Sequence, residues 1–185
     1  MTIPGSTSHL SVHDESNEPR VPIADAIDTL VTKVSSVLCW LNALLIVVII
    51  VQVVLRYGFD TGDPKLEELQ WHLYAAAVMF GLAYAQVTDS HVRVDIVAMR
   101  LSPQALRFWE IFGIIVFVFP FIFVIFYHSL DFVAESWRLN ERSDAPTGLP
   151  WRWAIKSVIP ISFALLALAV FARFLRDIVA LLRRA

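Results

Sequence analysis

The side chains best suited to chemistry here are two histidines, His72 and His128, one opening and one closing an apolar run. If successive helices alternate in direction, both imidazoles reach the same membrane face. A pair placed so across a bundle could ligate haem and make the protein a redox anchor. The ordinary alternative is two interfacial histidines with wet ring nitrogens. Cys39 is the only cysteine, so one chain can form neither a disulfide framework nor a thiolate metal site. No cluster of serine, cysteine and carboxylate suggests a hydrolase, and the G-x-x-x-x-G-K-[ST] phosphate loop is missing. The expectation is therefore no enzyme, no cofactor and no metal.

The elements that would position these groups are membrane helices. Four runs, Val37 to Leu55, Leu69 to Val87, Ile111 to Tyr127 and Val158 to Ala172, hold no Asp, Glu, Lys or Arg. A bilayer's hydrocarbon core takes roughly 17–25 apolar helical residues, and the shorter fourth run extends upstream if Lys156 snorkels. Composition agrees, with 57% hydrophobic residues against 17% charged. A net charge of −2 without a Lys/Arg block argues against nucleic acid. The expected fold is an all-α integral membrane protein of four spans, at about 34–56, 66–88, 104–130 and 152–176. Residues 1–21 read as a disordered cytoplasmic tail and 22–185 as the membrane domain.

Ile23, Ile27, Leu30, Val31 and Val34 recur at helical spacing opposite Asp25, Asp28 and Lys33, an amphipathic lead-in to the first span. Asp63-Pro64 and Ser102-Pro103 read as helix caps followed by a first-turn proline. Between them, His91 to Val97 alternates polar and apolar residues and is expected to lie along the interface. Pro120 should kink the third span, and its helix can continue past Tyr127 through Arg138. Trp151 and Trp153 read as interfacial anchors, and Arg173, Arg176, Arg183 and Arg184 as cations suited to the C-terminal end of the last helix. Counting Lys and Arg by loop gives nine on the side of the termini against six on the other, which places both termini in the cytoplasm.

One seam of the second span carries Glu67, Gln70, Tyr74, Ala77, Gly81, Tyr84 and Thr88, in steps of three and four. Ala77, Gly81 and Ala85 form a small-xxx-small pattern that lets another helix approach closely. The seam is expected to be the buried side, either within the bundle or against a larger membrane protein. Asn42 and Gln52 on the first span should likewise find partners on a neighbouring helix. Ion pathways are normally marked by ionisable groups inside spans, and none lies in these four. An accessory role follows more naturally than transport by this chain alone. A regulatory or chaperone-like membrane protein is a further alternative.

Three motifs sharpen that inference: Val53-Val54-Leu55-Arg56-Tyr57, Glu67-Glu68-Leu69 and His91-Val92-Arg93-Val94-Asp95. In order and spacing they resemble the small membrane subunit of tripartite ATP-independent periplasmic (TRAP) transporters. The segment from Gly148-Leu149-Pro150-Trp151 to Pro160 is similar to one branch of that family, and the likeness covers about residues 35 to 175. The resemblance implies a scaffold subunit of the inner membrane that steadies a large membrane subunit. That partner would take up a small organic acid or related solute, delivered by a periplasmic binding protein, on a cation gradient. It also implies partner-interface roles for Arg56, Glu67, Glu68, His91, Arg93 and Asp95, beside the seam residues. The alternative for these charges is helix capping and loop anchoring, Arg56 at a C-terminus and Glu67 and Glu68 at an N-terminus.

Overall fold

A computed structural model describes residues 21–88, 102–145 and 147–182 of the chain. The expected interfacial segment, with His91, Arg93 and Asp95, and the N-terminal tail through Arg20 lie outside the described residues. Helix α1 is Pro22–Cys39, α2 is Leu41–Gly58, α3 is Pro64–Val87 and α4 is Pro103–Gly113. A π-helical turn, Ile114–Val118, joins α4 to α5, Phe119–Arg138, and α6 is Arg152–Leu182. With α1 running into α2 through Trp40, and α4 into α5, these segments form four helical rods. The protein is an all-α membrane protein.

Three rods are long and apolar enough to cross a bilayer: Pro22–Gly58, Gln104–Arg138 and Arg152–Leu182. The fourth, α3, has 24 residues, about 36 Å at 1.5 Å per residue, and is the more polar one. Local chemistry explains the boundaries. The Asp63 side chain accepts a hydrogen bond from the Lys65 N–H at 2.9 Å, and Pro64 opens α3 where no N–H is needed. Ser102 caps α4 in the same way, accepting from the Ala105 N–H at 3.2 Å. The π turn falls directly before Pro120, which lacks the N–H that would serve the Val116 carbonyl. The Phe119 N–H reaches instead to the Ile114 carbonyl, five residues back.

Helix α6 is the centre of the bundle and packs on α1, α3, α4 and α5. One core cluster joins Ile114, Ile122, Phe163 and Val170, with Met79 and Phe174 against it. A second joins Val31, Ala83 and Ala169, where two alanines let α1, α3 and α6 approach closely. Helix α2 touches little besides α3, and of its many aliphatic residues only Val48 is buried. That leaves Ile46, Val47, Ile50 and Val54 facing outward, as lipid-facing residues do.

The lead-in helix differs in detail from its sequence pattern. Its buried residues are Ala24, Val31 and Ser35, whereas Ile23 and Leu30 are exposed. Asp28, expected on the outer face, turns inward because Arg176 of α6 pairs with it.

Candidate functional site

Polar side chains gather at the two ends of the bundle, with a belt between them free of Asp, Glu, Lys and Arg. At the first end, α3 begins and the loop 139–151 joins α5 to α6. Glu68 reaches from the first turns of α3 into this loop. Its carboxylate accepts from the Ser143 hydroxyl and, at 2.7 Å, from the Leu149 N–H. Gly148 makes that approach possible: a Cβ there would collide with the Ser143 side chain and lie 2.8 Å from Glu68 Oε1.

The loop is tied to α6 as well. Glu141 pairs with Lys156, and the Lys156 ammonium also lies 4.0 Å from the centre of the Phe132 ring. Its hydrogen bond from Lys156, with Arg152 nearby, holds the Glu141 carboxyl below the ordinary carboxylate range. Arg152 stands 3.8 Å from Glu141 and 3.5 Å from Asp144, and its N–H meets the Glu141 carbonyl at 3.2 Å. These ties hold Trp151 in the left-handed region, at φ 64°, which costs a bulky residue about 1–2 kcal/mol. Trp137 and Trp153 meet edge to face, 4.6 Å between ring centres.

At the opposite end, α1, α4 and α6 are joined by ion pairs. Arg176 pairs with Asp28 and, at 2.8 Å, with Asp25. Asp177, 1% exposed, lies 3.7 Å from Arg107 and 3.5 Å from Arg173. Arg173 also lies 3.6 Å from Glu110. Arg173 and Arg176 are thus not helix-terminal cations, because α6 continues to Leu182. This cluster went unrecognised in the sequence. A signal was present: Phe163, Val170 and Asp177 recur every seven residues, and all are buried.

The seam of α3 divides. Its member Ala77 is buried, Gln70, Gly81 and Tyr84 are half-buried, and Glu67, Tyr74 and Thr88 are exposed. The buried face of α3 is instead Leu73, Ala76, Ala77, Phe80 and Ala83. Burial of the whole seam inside this bundle is therefore corrected, because α1 and α6 pack on the apolar stripe beside it. Gly81 is open, with nothing within 4 Å of an added Cβ.

Near the start of α3, Arg56 and Glu67 line an open cavity of about 340 Å³ with Gln52 and Asp60. The Gln52 amide donates to the Asp63 carbonyl at 3.4 Å, while Asn42 is exposed and reaches only the Cys39 carbonyl of its own rod. Glu68 is drawn into the loop, so the neighbouring Glu67 alone keeps an outward carboxylate.

The cavities at this end do not bring His72 and His128 together. His72 lines cavities beside Arg152, whereas His128 is exposed next to Tyr127 and lines neither of them. No group of three or more His, Cys, Asp or Glu side chains among the described residues is placed to hold a metal ion.

Fold and polar ends together define a helical membrane protein whose charged groups fasten helices to one another and whose middle is apolar. Residues 45–180 match the family described as tripartite ATP-independent periplasmic transporters, DctQ component. The chain belongs to that family. It is also 31% identical over 74 residues to a Haemophilus influenzae protein whose name assigns it to the small permease of a TRAP transporter. That match covers 40% of this chain and 46% of the relative, so the chain spans about half the length of the relative it matches.

Proposed function

We propose that this chain is the small scaffold subunit of a TRAP-type secondary transporter of the bacterial inner membrane. It supports a large membrane subunit that takes up a small organic acid or related solute on a cation gradient. A periplasmic binding protein delivers the solute through the assembled complex. Both termini face the cytoplasm, which sets the Glu68 loop toward the periplasm and the Arg176 cluster toward the cytoplasm.

The observation that carries this reading is the outward stripe of α3. Glu67, Tyr74 and Thr88 are left exposed by the chain's own helices, and Gly81 between them is open. In lipid, helices associate through close packing at small residues and through hydrogen bonds, so a polar-and-small stripe suits a protein neighbour better than acyl chains. The central belt without Asp, Glu, Lys or Arg supports the same division of labour, since harnessing an ion gradient needs ionisable or coordinating groups there.

Gly81→Leu and Glu67→Lys test the interface. Glu67 is exposed and a Cβ added at Gly81 meets nothing within 4 Å, so both variants should insert and keep their helicity by circular dichroism. Each is expected to weaken co-purification with the large subunit. Unchanged co-purification of both would remove this face from the interface. Vesicles holding this chain alone should accumulate no solute, and accumulation would overturn the scaffold assignment.

A further inference from the structure

Helix α6 lies between α3 and α5, and the space above it is not closed. A groove of about 530 Å³ runs along α3 there, walled by Trp71, Tyr74, Val78 and Met79, with Phe132 opposite and Ile155 in the floor. That volume falls within the roughly 300–1,000 Å³ of small-molecule sites. Trp71, Tyr74 and Val78 are 66%, 53% and 48% exposed, so the groove opens to the surroundings of the helices.

Its polarity changes along its length. The inner part, at Val78 and Met79, is apolar and leads into the charge-free belt of the spans. The outer part is rimmed by His72, Arg152 and Lys156, at the level of Trp71 and the Trp137–Trp153 pair. There it adjoins a smaller cavity of about 170 Å³ that shares Trp71, His72 and Arg152 with it and adds Glu68 and Ser143.

We infer that this groove holds a membrane phospholipid, with an acyl chain along α3 and the phosphate on Arg152. Lys156 is committed to Glu141 and to the Phe132 ring. Arg152 is ion-paired with the same loop, but at longer range. Its guanidinium contacts with Asp144 and Glu141, at 3.5 and 3.8 Å, exceed a good hydrogen-bond length, so its fork of donors is available to phosphate oxygens. The rim carries both signs of charge, and the Asp144 side chain is fully exposed beside Arg152. A zwitterionic headgroup matches that arrangement: its phosphate meets Arg152 and its ammonium faces Asp144. Phosphatidylethanolamine, which offers ammonium N–H donors, is therefore favoured over phosphatidylglycerol. The groove shares Tyr74 with the outward stripe of α3, but the lipid is tested on the chain alone, so its failure is distinguishable from a failure of the partner assignment.

The test is native mass spectrometry of the full chain in mild detergent, for wild type, Val78→Trp and Arg152→Gln. Val78 is exposed, so an indole there fills the groove without disturbing the core, and circular dichroism checks both folds. Wild type should carry a stoichiometric phospholipid that Val78→Trp loses. Arg152→Gln should hold it less well, and add-back of phosphatidylethanolamine to stripped wild type should restore more than add-back of phosphatidylglycerol. Equal retention by wild type and Val78→Trp would overturn the site, as would a wild type without lipid that takes up neither. Loss of the lipid on assembly with the large subunit would give the groove to a protein neighbour instead.

Discussion

The two ends of the bundle solve one problem, holding helices in register where lipid gives way to water, by different means. At the loop end, Glu68 and Glu141 bind a single connection, so the fastening is between a helix start and the loop 139–151. At the other end no short connection is involved. Arg176 meets Asp25 across 151 residues of chain, and Asp177 sits between Arg107 and Arg173. The first end fixes a surface, whereas the second fixes the relation of α1, α4 and α6. Damage should therefore stay local at one end and spread at the other.

The largest effect is expected from Asp177→Leu. The side chain is 1% exposed, and Arg107 and Arg173 are only 12% and 15% exposed. Removing the acid leaves cations with little access to water, and breaking such a pair costs about 3–5 kcal/mol. Thermal unfolding in detergent, followed by circular dichroism, should show a loss on that scale. A loss no larger than that of an exposed variant would mean that the cluster is ornamental and the contrast between the ends is false.

Gly148→Ala should cost less, about 1–3 kcal/mol, as overpacking does. The added methyl meets the Ser143 side chain and Glu68 Oε1, so the loop must shift or the Glu68 bonds must open. Hydrogen exchange should rise at Leu149 and its neighbours while the α1–α6 contact keeps its protection. If protection fell at both ends together, the loop would not be a local device.

How far each end could be read in the sequence follows the same contrast. Helix starts at Pro64 and Pro103 and the continuation to Arg138 are local matters of capping and hydropathy, and they were legible. Glu68 was marked by motif, but its partners Ser143 and Leu149 lie 75 and 81 residues away, and nothing local points to them. The Arg176 cluster was invisible for a stronger reason. Its acids and bases sit on three segments of chain, each with a sufficient local explanation as a solvated face or helix-end charge. The α3 seam stayed open between the bundle and a larger neighbour because small and polar residues favour close helix contact without saying which helix supplies it. Leu73 and Phe80 beside it took the intrachain contact.

The smallest effect is a pH dependence confined to the loop end. Glu141 titrates below the ordinary carboxylate value of 4.5, because the Lys156 ammonium stabilises its charged form. A carboxyl whose folded value is depressed contributes stability that is complete above the unfolded value. That contribution fades as pH falls through the folded value. Acidification from neutrality toward pH 5 should thus leave the loop unchanged, and further acidification should release Glu141 from Lys156 and Arg152. The Trp137–Trp153 contact lies beside this pair, so tryptophan fluorescence should report the release. Glu141→Gln should show the altered emission already at neutral pH and lose the acid transition. An acid transition of the same size in that variant would mean that it does not originate in the Glu141–Lys156 pair.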